Sequence, residues 1–153
     1  MKQVNVGILG ATGAVGQEMI KILEERNFPV ASLRPIASAR SAGSKIMFRG
    51  QECTIVEASD DAFEGLDIVL GAAENDIAER FAPSIVKAGA VFVDNSSAFR
   101  MDPDVPLIVP EINPEHYEVI EHQKKRLGTT HGFIAVKPNC SIQAYTPALA
   151  AWK

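Results

Sequence analysis

Three glycines at intervals of three residues, Gly10, Gly13 and Gly16, constrain the fold of this sequence more than any other feature. They follow an apolar run from Val4 to Leu9 that is short and β-branched, as a strand buried on both faces of a parallel sheet must be. A turn without side chains lets backbone N–H groups approach a phosphate, and the helix beginning near Ala14 directs its positive end at the same anion. The pattern G-x-x-G-x-x-G therefore predicts a dinucleotide-binding turn.

The residues after the turn predict an amphipathic helix. Apolar side chains recur at helical spacing while polar and charged residues fill the positions between them. The predicted buried face carries Val15, Met19, Ile22 and Leu23. Strand, turn and helix thus occur in the order that a dinucleotide site requires. Glycines also suit any tight strand-to-helix turn, and this plainer interpretation stays open on these residues alone.

Composition excludes several classes of function. A chain of 153 residues with 46% hydrophobic and 22% charged residues is typical of one globular domain, and its net charge of −4 offers no basic surface for nucleic acid. No segment approaches the roughly 20 apolar residues of a membrane span. No metal site is predicted. Because the N-terminus leads directly into a strand, a cytoplasmic protein is expected, with Cys53 and Cys140 as free thiols.

Short apolar runs alternate with helical patterns along the rest of the chain. Pro83 predicts a kink or break in the second long helix. The order of elements predicts an α/β fold, namely a doubly wound, Rossmann-like and mostly parallel sheet with helices on both faces and a small insertion, either a hairpin or two short strands. The predicted strands are Ala31–Ser38, Lys45–Phe48, Cys53–Glu57, Leu66–Leu70, Ala90–Val93, Leu107–Val109 and Phe133–Val136, and the later helices span Asp76–Ala88 and Pro114–Lys125.

The segment from Ser38 to Gly43 bears on the choice of cofactor. In NAD-binding folds an acidic residue about 20 residues past the glycines accepts a hydrogen bond from the ribose 2′-hydroxyl. This segment contains no acid, and it offers the guanidinium of Arg40 with the hydroxyls of Ser38 and Ser41 to a 2′-phosphate. NADP is therefore predicted. The alternative is a solvent loop in which Arg40 has no partner.

Two further segments place polar groups at the carboxyl ends of predicted strands, where ligands of such sheets bind. In Asn95–Arg100, Arg100 could bind a phosphate or carboxylate and Ser97 could donate to the same anion. The alternative is a loop whose polar side chains only cap the loop itself.

Cys140 follows the last strand at the start of a helix, which favours a thiolate nucleophile. Asn139 and the backbone N–H of Cys140 are placed to stabilise an oxyanion. A buried structural cysteine is the alternative.

Five segments in order resemble the aspartate-β-semialdehyde dehydrogenase family. They cover nearly the whole chain, which makes the resemblance specific. A related family, N-acetyl-γ-glutamyl-phosphate reductase, shares the glycine turn and a cysteine but usually has Gly-Cys-Tyr at that position, and it is kept as the alternative together with a non-catalytic NADP-binding module. The matching segments are Gly7–Gly16, Ser38–Gly43, Asp94–Arg100, Val109–Asn113 and Pro138–Ser141.

The resemblance implies an NADP-dependent, phosphorylating aldehyde dehydrogenase of lysine, threonine and methionine biosynthesis. Cys140 would attack β-aspartyl phosphate to form a thioester, and NADPH would reduce it to aspartate semialdehyde. By the same resemblance, Arg100, Ser97 and Asn139 would bind the phosphate of the substrate. The cofactor would be bound by Gly10, Ala11, Thr12, Gly13, Ala14 and Val15 at the pyrophosphate, by Ser38, Arg40 and Ser41 at the 2′-phosphate, and by Asn95.

Length is the main departure from the family. Its members are much longer, and their second half supplies an acid/base histidine, an arginine for the substrate carboxylate, a further phosphate-binding lysine and most of the dimer interface. Residues 1–153 are therefore expected to be an NADP-binding domain that ends just after the nucleophile turn, inactive alone, from an enzyme that is a homo-oligomer when complete. His116, His122 and His131 are expected to be surface or capping residues.

Overall fold

Residues 2–152, which the computed structural model describes, form eight strands and four α-helices. Two short 3-10 helices, at Asp60–Phe63 and Pro114–Val119, lie between these elements. The elements in chain order are β1 (Val4–Leu9), α1 (Ala14–Glu25), β2 (Val30–Ala37), β3 (Lys45–Phe48), β4 (Gln51–Thr54), β5 (Val56–Glu57), β6 (Ile68–Gly71), α2 (Asn75–Lys87), β7 (Val91–Asp94), α3 (Ile120–Leu127), β8 (Phe133–Val136) and α4 (Cys140–Ala150).

Six of the strands form one parallel sheet in the order β5-β2-β1-β6-β7-β8. Strands β3 and β4 pair separately as an antiparallel hairpin, so the second half of the predicted Cys53–Glu57 strand belongs instead to β5, which pairs with β2. Buried apolar side chains form two clusters. The smaller cluster lies between α1 and one face of the sheet, and the larger one lies between α2 and the other face. The predicted doubly wound α/β fold is confirmed. Within residues 2–152 no helix combines the length and apolar character that crossing a bilayer requires.

The buried face of α1 agrees with the predicted one at Leu23, which is buried, and at Met19, which is half-buried against the core, but differs elsewhere. Its buried residues are Gly16, Ile20 and Leu23, whereas Val15 and Ile22 are 45% and 44% exposed. A Cβ at Gly16 would lie only 2.3 Å from the carbonyl oxygen of Gly10, so the helix backbone rests directly on the turn. This contact sets the rotation of the helix and turns positions 20 and 23 toward the sheet.

Helix α2 continues through Pro83 without the predicted break, so of the two predicted outcomes only a kink stays a prediction. Pro83 is exposed, while Ala82, Ile85 and Val86 beside it are buried in the core. Burial of the neighbouring apolar side chains offsets the backbone hydrogen bond that proline cannot make. The helix ends as predicted at Gly89, whose φ of 86° is a conformation that favours glycine.

The segment between β7 and α3 has less regular structure than predicted. The expected strand Leu107–Val109 makes a single bridge, from Leu107 to Val136. Pro106 and Pro110 flank it, and proline has no N–H to extend a ladder of hydrogen bonds. The helix predicted from Pro114 is present, with a 3-10 first part that leads into α3.

Candidate functional site

The turns that carry the predicted site residues all leave the carboxyl ends of the parallel strands. They follow β1, β2, β7 and β8, and the turn after β6 lies among them. The sheet order changes direction between β1 and β6, where ligands of open α/β sheets bind. A Cβ at Gly10 would lie 2.8 Å from the carbonyl oxygen of Ala72, so the turns after these two strands pack backbone against backbone. Gly10 also has a φ of 88°, which disfavours any other residue.

The amino end of α1 fits a bound pyrophosphate. Gly13 is the N-cap residue, no side chain caps the helix, and its first turn contains no acidic residue. The N–H of Gly13 donates to the carbonyl of Gly10 at 3.1 Å, which closes the turn. Thr12, Ala14 and Val15 are exposed, and only Ala11 of the predicted contacts is buried. Uncapped N–H groups at the positive end of a helix are the donor set that a dinucleotide phosphate requires.

The segment after β2 forms a tight turn at the same edge of the sheet. The carbonyl oxygen of Ser38 accepts hydrogen bonds from the N–H groups of Ser41 at 2.9 Å and Ala42 at 3.2 Å. Ser38 and Arg40 are exposed and Ser41 is half-buried. Within residues 2–152 Arg40 forms no ion pair. The turn thus presents a guanidinium and two hydroxyls without a competing carboxylate.

The loop after β7 is held by its own side chains Asp94 and Ser96, as the alternative interpretation of Asn95–Arg100 expected in part, and by Asn75 of α2. Asp94 is fully buried and accepts hydrogen bonds from the N–H and hydroxyl of Ser96 at 3.0 and 2.5 Å. Ser97 is exposed, and Asn75 at the start of α2 accepts from its N–H at 3.0 Å and donates to its hydroxyl at 2.9 Å. Sequence reasoning missed Asn75, although an Asn at the start of a helix is a common partner for a neighbouring loop.

Arg100 joins the loop after β7 to the turn after β8. Its Nη2 donates to the carbonyl oxygen of Asn95 at 2.9 Å and its Nε to that of Lys137 at 3.2 Å. Lys137 is half-buried, and its Nζ donates to the carbonyl oxygen of Pro138 at 2.8 Å. Lys137 was not among the predicted site residues, and its position directly before Pro138-Asn139-Cys140 was the available signal.

Cys140 is the first residue of α4 and is exposed, so it is not the buried structural cysteine of the alternative interpretation. Asn139 caps the helix, since its Oδ1 accepts from the N–H and hydroxyl of Ser141 at 3.0 and 2.6 Å. The Sγ of Cys140 lies 3.7 Å from the same oxygen. The amide nitrogen of Asn139 has no partner within residues 2–152 and is left to donate. Cys53, in contrast, is half-buried, and this burial raises the pKa of its thiol.

Within residues 2–152 none of the three histidines is hydrogen-bonded to this thiol, whose side-chain partner is Asn139. His116 is half-buried and accepts from the N–H of Leu107 at 3.2 Å, while His122 and His131 are exposed. His131 lines a cavity of about 670 Å³ between the end of α2 and the α3–β8 connection, at the amino ends of the strands. Because the predicted cofactor and thiol residues do not line that cavity, it is not the site described above.

Comparison with known proteins agrees with the fold. A family model described as "Semialdehyde dehydrogenase, NAD binding domain" matches residues 5–120. The aspartate-semialdehyde dehydrogenase of Bacillus subtilis is 46% identical over 146 residues, which are 95% of this chain and 39% of that protein. The chain therefore spans about two fifths of the length of this relative.

Two solved structures share the fold at appreciable identity. Aspartate semialdehyde dehydrogenase II of Vibrio cholerae, complexed with ASA, has a TM-score of 0.87 and 38% identity, covering 97% of this chain and 46% of that chain. Aspartate semialdehyde dehydrogenase of Candida albicans with NADP has a TM-score of 0.82 and 30% identity, covering 99% and 47%.

Proposed function

This chain belongs to the semialdehyde dehydrogenase family, whose NAD-binding domain it matches. We propose that it is part of an NADPH-dependent aspartate-semialdehyde dehydrogenase, and that this part carries both the cofactor site and the nucleophile. The proposed reaction converts β-aspartyl phosphate to aspartate semialdehyde and phosphate, in lysine, threonine and methionine biosynthesis. The observation that carries the proposal is the exposed Cys140 at the start of α4, on the same sheet edge as the uncapped glycine turn.

In the proposed site Gly10–Val15 would hold the pyrophosphate of the cofactor, and Asn95 would add a contact with the nucleotide. Ser38, Arg40 and Ser41 would hold the 2′-phosphate, which favours NADP over NAD because that turn has no carboxylate. The solved Candida albicans relative with NADP supports this choice. The bound nicotinamide supplies the hydride that reduces the acyl group.

The covalent step uses residues of this chain. The thiolate sulfur of Cys140 attacks the acyl carbon, a C–S bond forms, and the C–O bond to phosphate breaks with its electron pair leaving on the phosphate. The proton lost from the thiol is balanced by the proton gained by the phosphate at neutral pH. The N–H of Cys140 and the amide nitrogen of Asn139 donate to the developing oxyanion. Ser97 and Arg100 bind the phosphate.

Acylation of the 153-residue chain tests this function. The chain is mixed with β-aspartyl phosphate, quenched in acid and digested, and an aspartyl adduct on Cys140 is sought by mass spectrometry. N-acetyl-γ-glutamyl phosphate is offered in parallel, and we expect less adduct from it. NADP and NAD binding are measured by calorimetry on the same sample. NADP binding without an adduct from either acyl phosphate would support a non-catalytic module instead.

We expect turnover to require residues beyond these. We expect no phosphate-dependent NADPH formation when the 153-residue chain alone is given aspartate semialdehyde, because within residues 2–152 the thiol of Cys140 is hydrogen-bonded to Asn139 and to no histidine that could act as acid/base. Observed turnover would contradict this expectation while leaving the family unchanged. A homo-oligomeric enzyme is proposed for the complete protein, and light scattering measures it.

A further inference from the structure

Two cationic side chains meet at the turn just before Cys140. The Nε of Arg100 is 3.2 Å from the carbonyl oxygen of Lys137, and the Nζ of Lys137 is 2.8 Å from the carbonyl oxygen of Pro138. These carbonyl groups are consecutive along the chain and precede Cys140 by three and two residues. Each charged group is thus held beside the same short stretch of backbone that leads to the thiol.

Neither cation is neutralised within the described part of the chain. The ion pairs there involve other residues, and the nearby buried carboxylate of Asp94 is engaged by Ser96. Burial and then repulsion from Arg100 lower the pKa of Lys137, against the opposite effect of a Cys140 thiolate. Two like charges that are partly withdrawn from water and lack a carboxylate partner form a site for an anion.

We propose that Lys137 adds a second cation to the phosphate site already assigned to Arg100, and that its ammonium stabilises the phosphate as it leaves the acyl group. The ammonium of Lys137 has three N–H donors and gives one to Pro138, while the Nη1 of Arg100 has no partner within residues 2–152. Both side chains therefore retain donors for phosphate oxygens. The catalytic meaning of this site rests on the proposed function, whereas phosphate binding itself does not.

Protection of Cys140 by inorganic phosphate tests the site. The chain is alkylated with iodoacetamide at increasing phosphate concentration, with chloride at matched ionic strength as the reference. Alkylation of Cys140 is followed by mass spectrometry of its peptide, with the half-buried Cys53 as an internal comparison. The wild-type chain is compared with Lys137→Gln, with Lys137→Arg, and with Lys87→Gln, which removes an exposed charge from the far end of α2.

We expect phosphate to slow alkylation of the wild-type chain. The phosphate concentration that halves the rate should rise about tenfold in Lys137→Gln, which loses a charge-assisted hydrogen bond, and stay near the wild-type value in Lys137→Arg and Lys87→Gln. Absence of protection in the wild-type chain, or equal protection of Lys137→Gln, would overturn the assignment. Thermal unfolding by circular dichroism and NADP binding confirm that each variant is folded.

The two proposals fail separately. If Cys140 is acylated by β-aspartyl phosphate but phosphate protects Lys137→Gln as well as the wild-type chain, the function stands and the role of Lys137 is wrong. If protection depends on Lys137 but no aspartyl adduct forms, the phosphate site stands and the proposed reaction is wrong.

Discussion

Two strand-to-helix turns at the same edge of the sheet are stabilised by different means. The turn from β1 to α1 has no side-chain cap, and α1 buries Gly16, Ile20 and Leu23. The turn from β8 to α4 has the Asn139 cap, and no residue of α4 is buried. The proposed cofactor side is thus positioned by backbone packing, whereas the thiol side is positioned by polar contacts. Backbone packing suits the glycine turn, which is proposed to bind the pyrophosphate that every dinucleotide carries. Polar contacts suit the second turn, whose thiol is proposed to react.

Helix α4 also differs from α1 in that its apolar side chains are exposed. Ile142, Tyr145 and Leu149 are 43%, 52% and 54% exposed, and Trp152 beyond the helix is 90% exposed. Most helical stability in proteins comes from packing of an apolar face. Within residues 2–152 α4 therefore depends on its cap and its own backbone hydrogen bonds, which predicts that substitutions in the two turns act differently.

The largest expected effect is that of Cys140→Ser. The hydroxyl is a much weaker nucleophile than the thiolate, so the aspartyl adduct should disappear from digests while the affinity for NADP, measured by calorimetry, stays unchanged. Cys53→Ser is the matched control and should retain the adduct. An undiminished adduct in Cys140→Ser would contradict the nucleophile assignment and remove the chemical contrast between the turns.

Gly16→Ala should be the most destabilising change on the cofactor side. Its Cβ would lie 2.3 Å from the carbonyl oxygen of Gly10, so the helix must shift, at a cost of about 3 kcal/mol in the free energy of unfolding. Gly13→Ala is the control, because its Cβ would come no closer than 3.5 Å to another atom, which predicts a change of about 0.5 kcal/mol or less. Urea denaturation measures both values, and equal values would mean that backbone packing does not position α1.

Arg40→Ala tests the other half of the cofactor side. Loss of a charge-assisted contact with the 2′-phosphate should weaken NADP binding about tenfold and leave NAD binding unchanged. Calorimetry with both nucleotides measures the difference. Arg26→Ala, at the far end of α1, should change neither affinity. Equal weakening of NADP and NAD would exclude the contact.

The smallest effect is expected from Asn139→Ala. Removal of an N-cap costs about 1 kcal/mol, and because α4 buries nothing the loss should stay within that helix. Hydrogen exchange of the α4 amides should become faster while the midpoint of thermal unfolding remains that of the wild-type chain. Ser141→Ala keeps the cap acceptor and should show slower exchange than Asn139→Ala. A lowered unfolding midpoint in Asn139→Ala would indicate that α4 is coupled to the core after all.

Errors in the sequence prediction share a cause. The face of α1 was right at Leu23 and Met19 but wrong at Val15 and Ile22, because helical spacing does not reveal the backbone contact between Gly16 and Gly10. The break at Pro83 was wrong because local propensity does not include burial of Ile85 and Val86. Contacts between distant segments, such as Asn75 with Ser97 and Arg100 with Lys137, leave no periodic trace in a sequence.

The sequence by itself determined the order of the elements, the glycine turn and the place of Cys140 at the start of a helix. Those features depend on residues close together in the chain, namely apolar runs, glycines and a capping Asn. Only the tertiary structure decided that Lys137 and Arg100 meet beside the thiol. Their meeting depends on the parallel pairing of β7 with β8, which brings two loops 37 residues apart to one edge of the sheet.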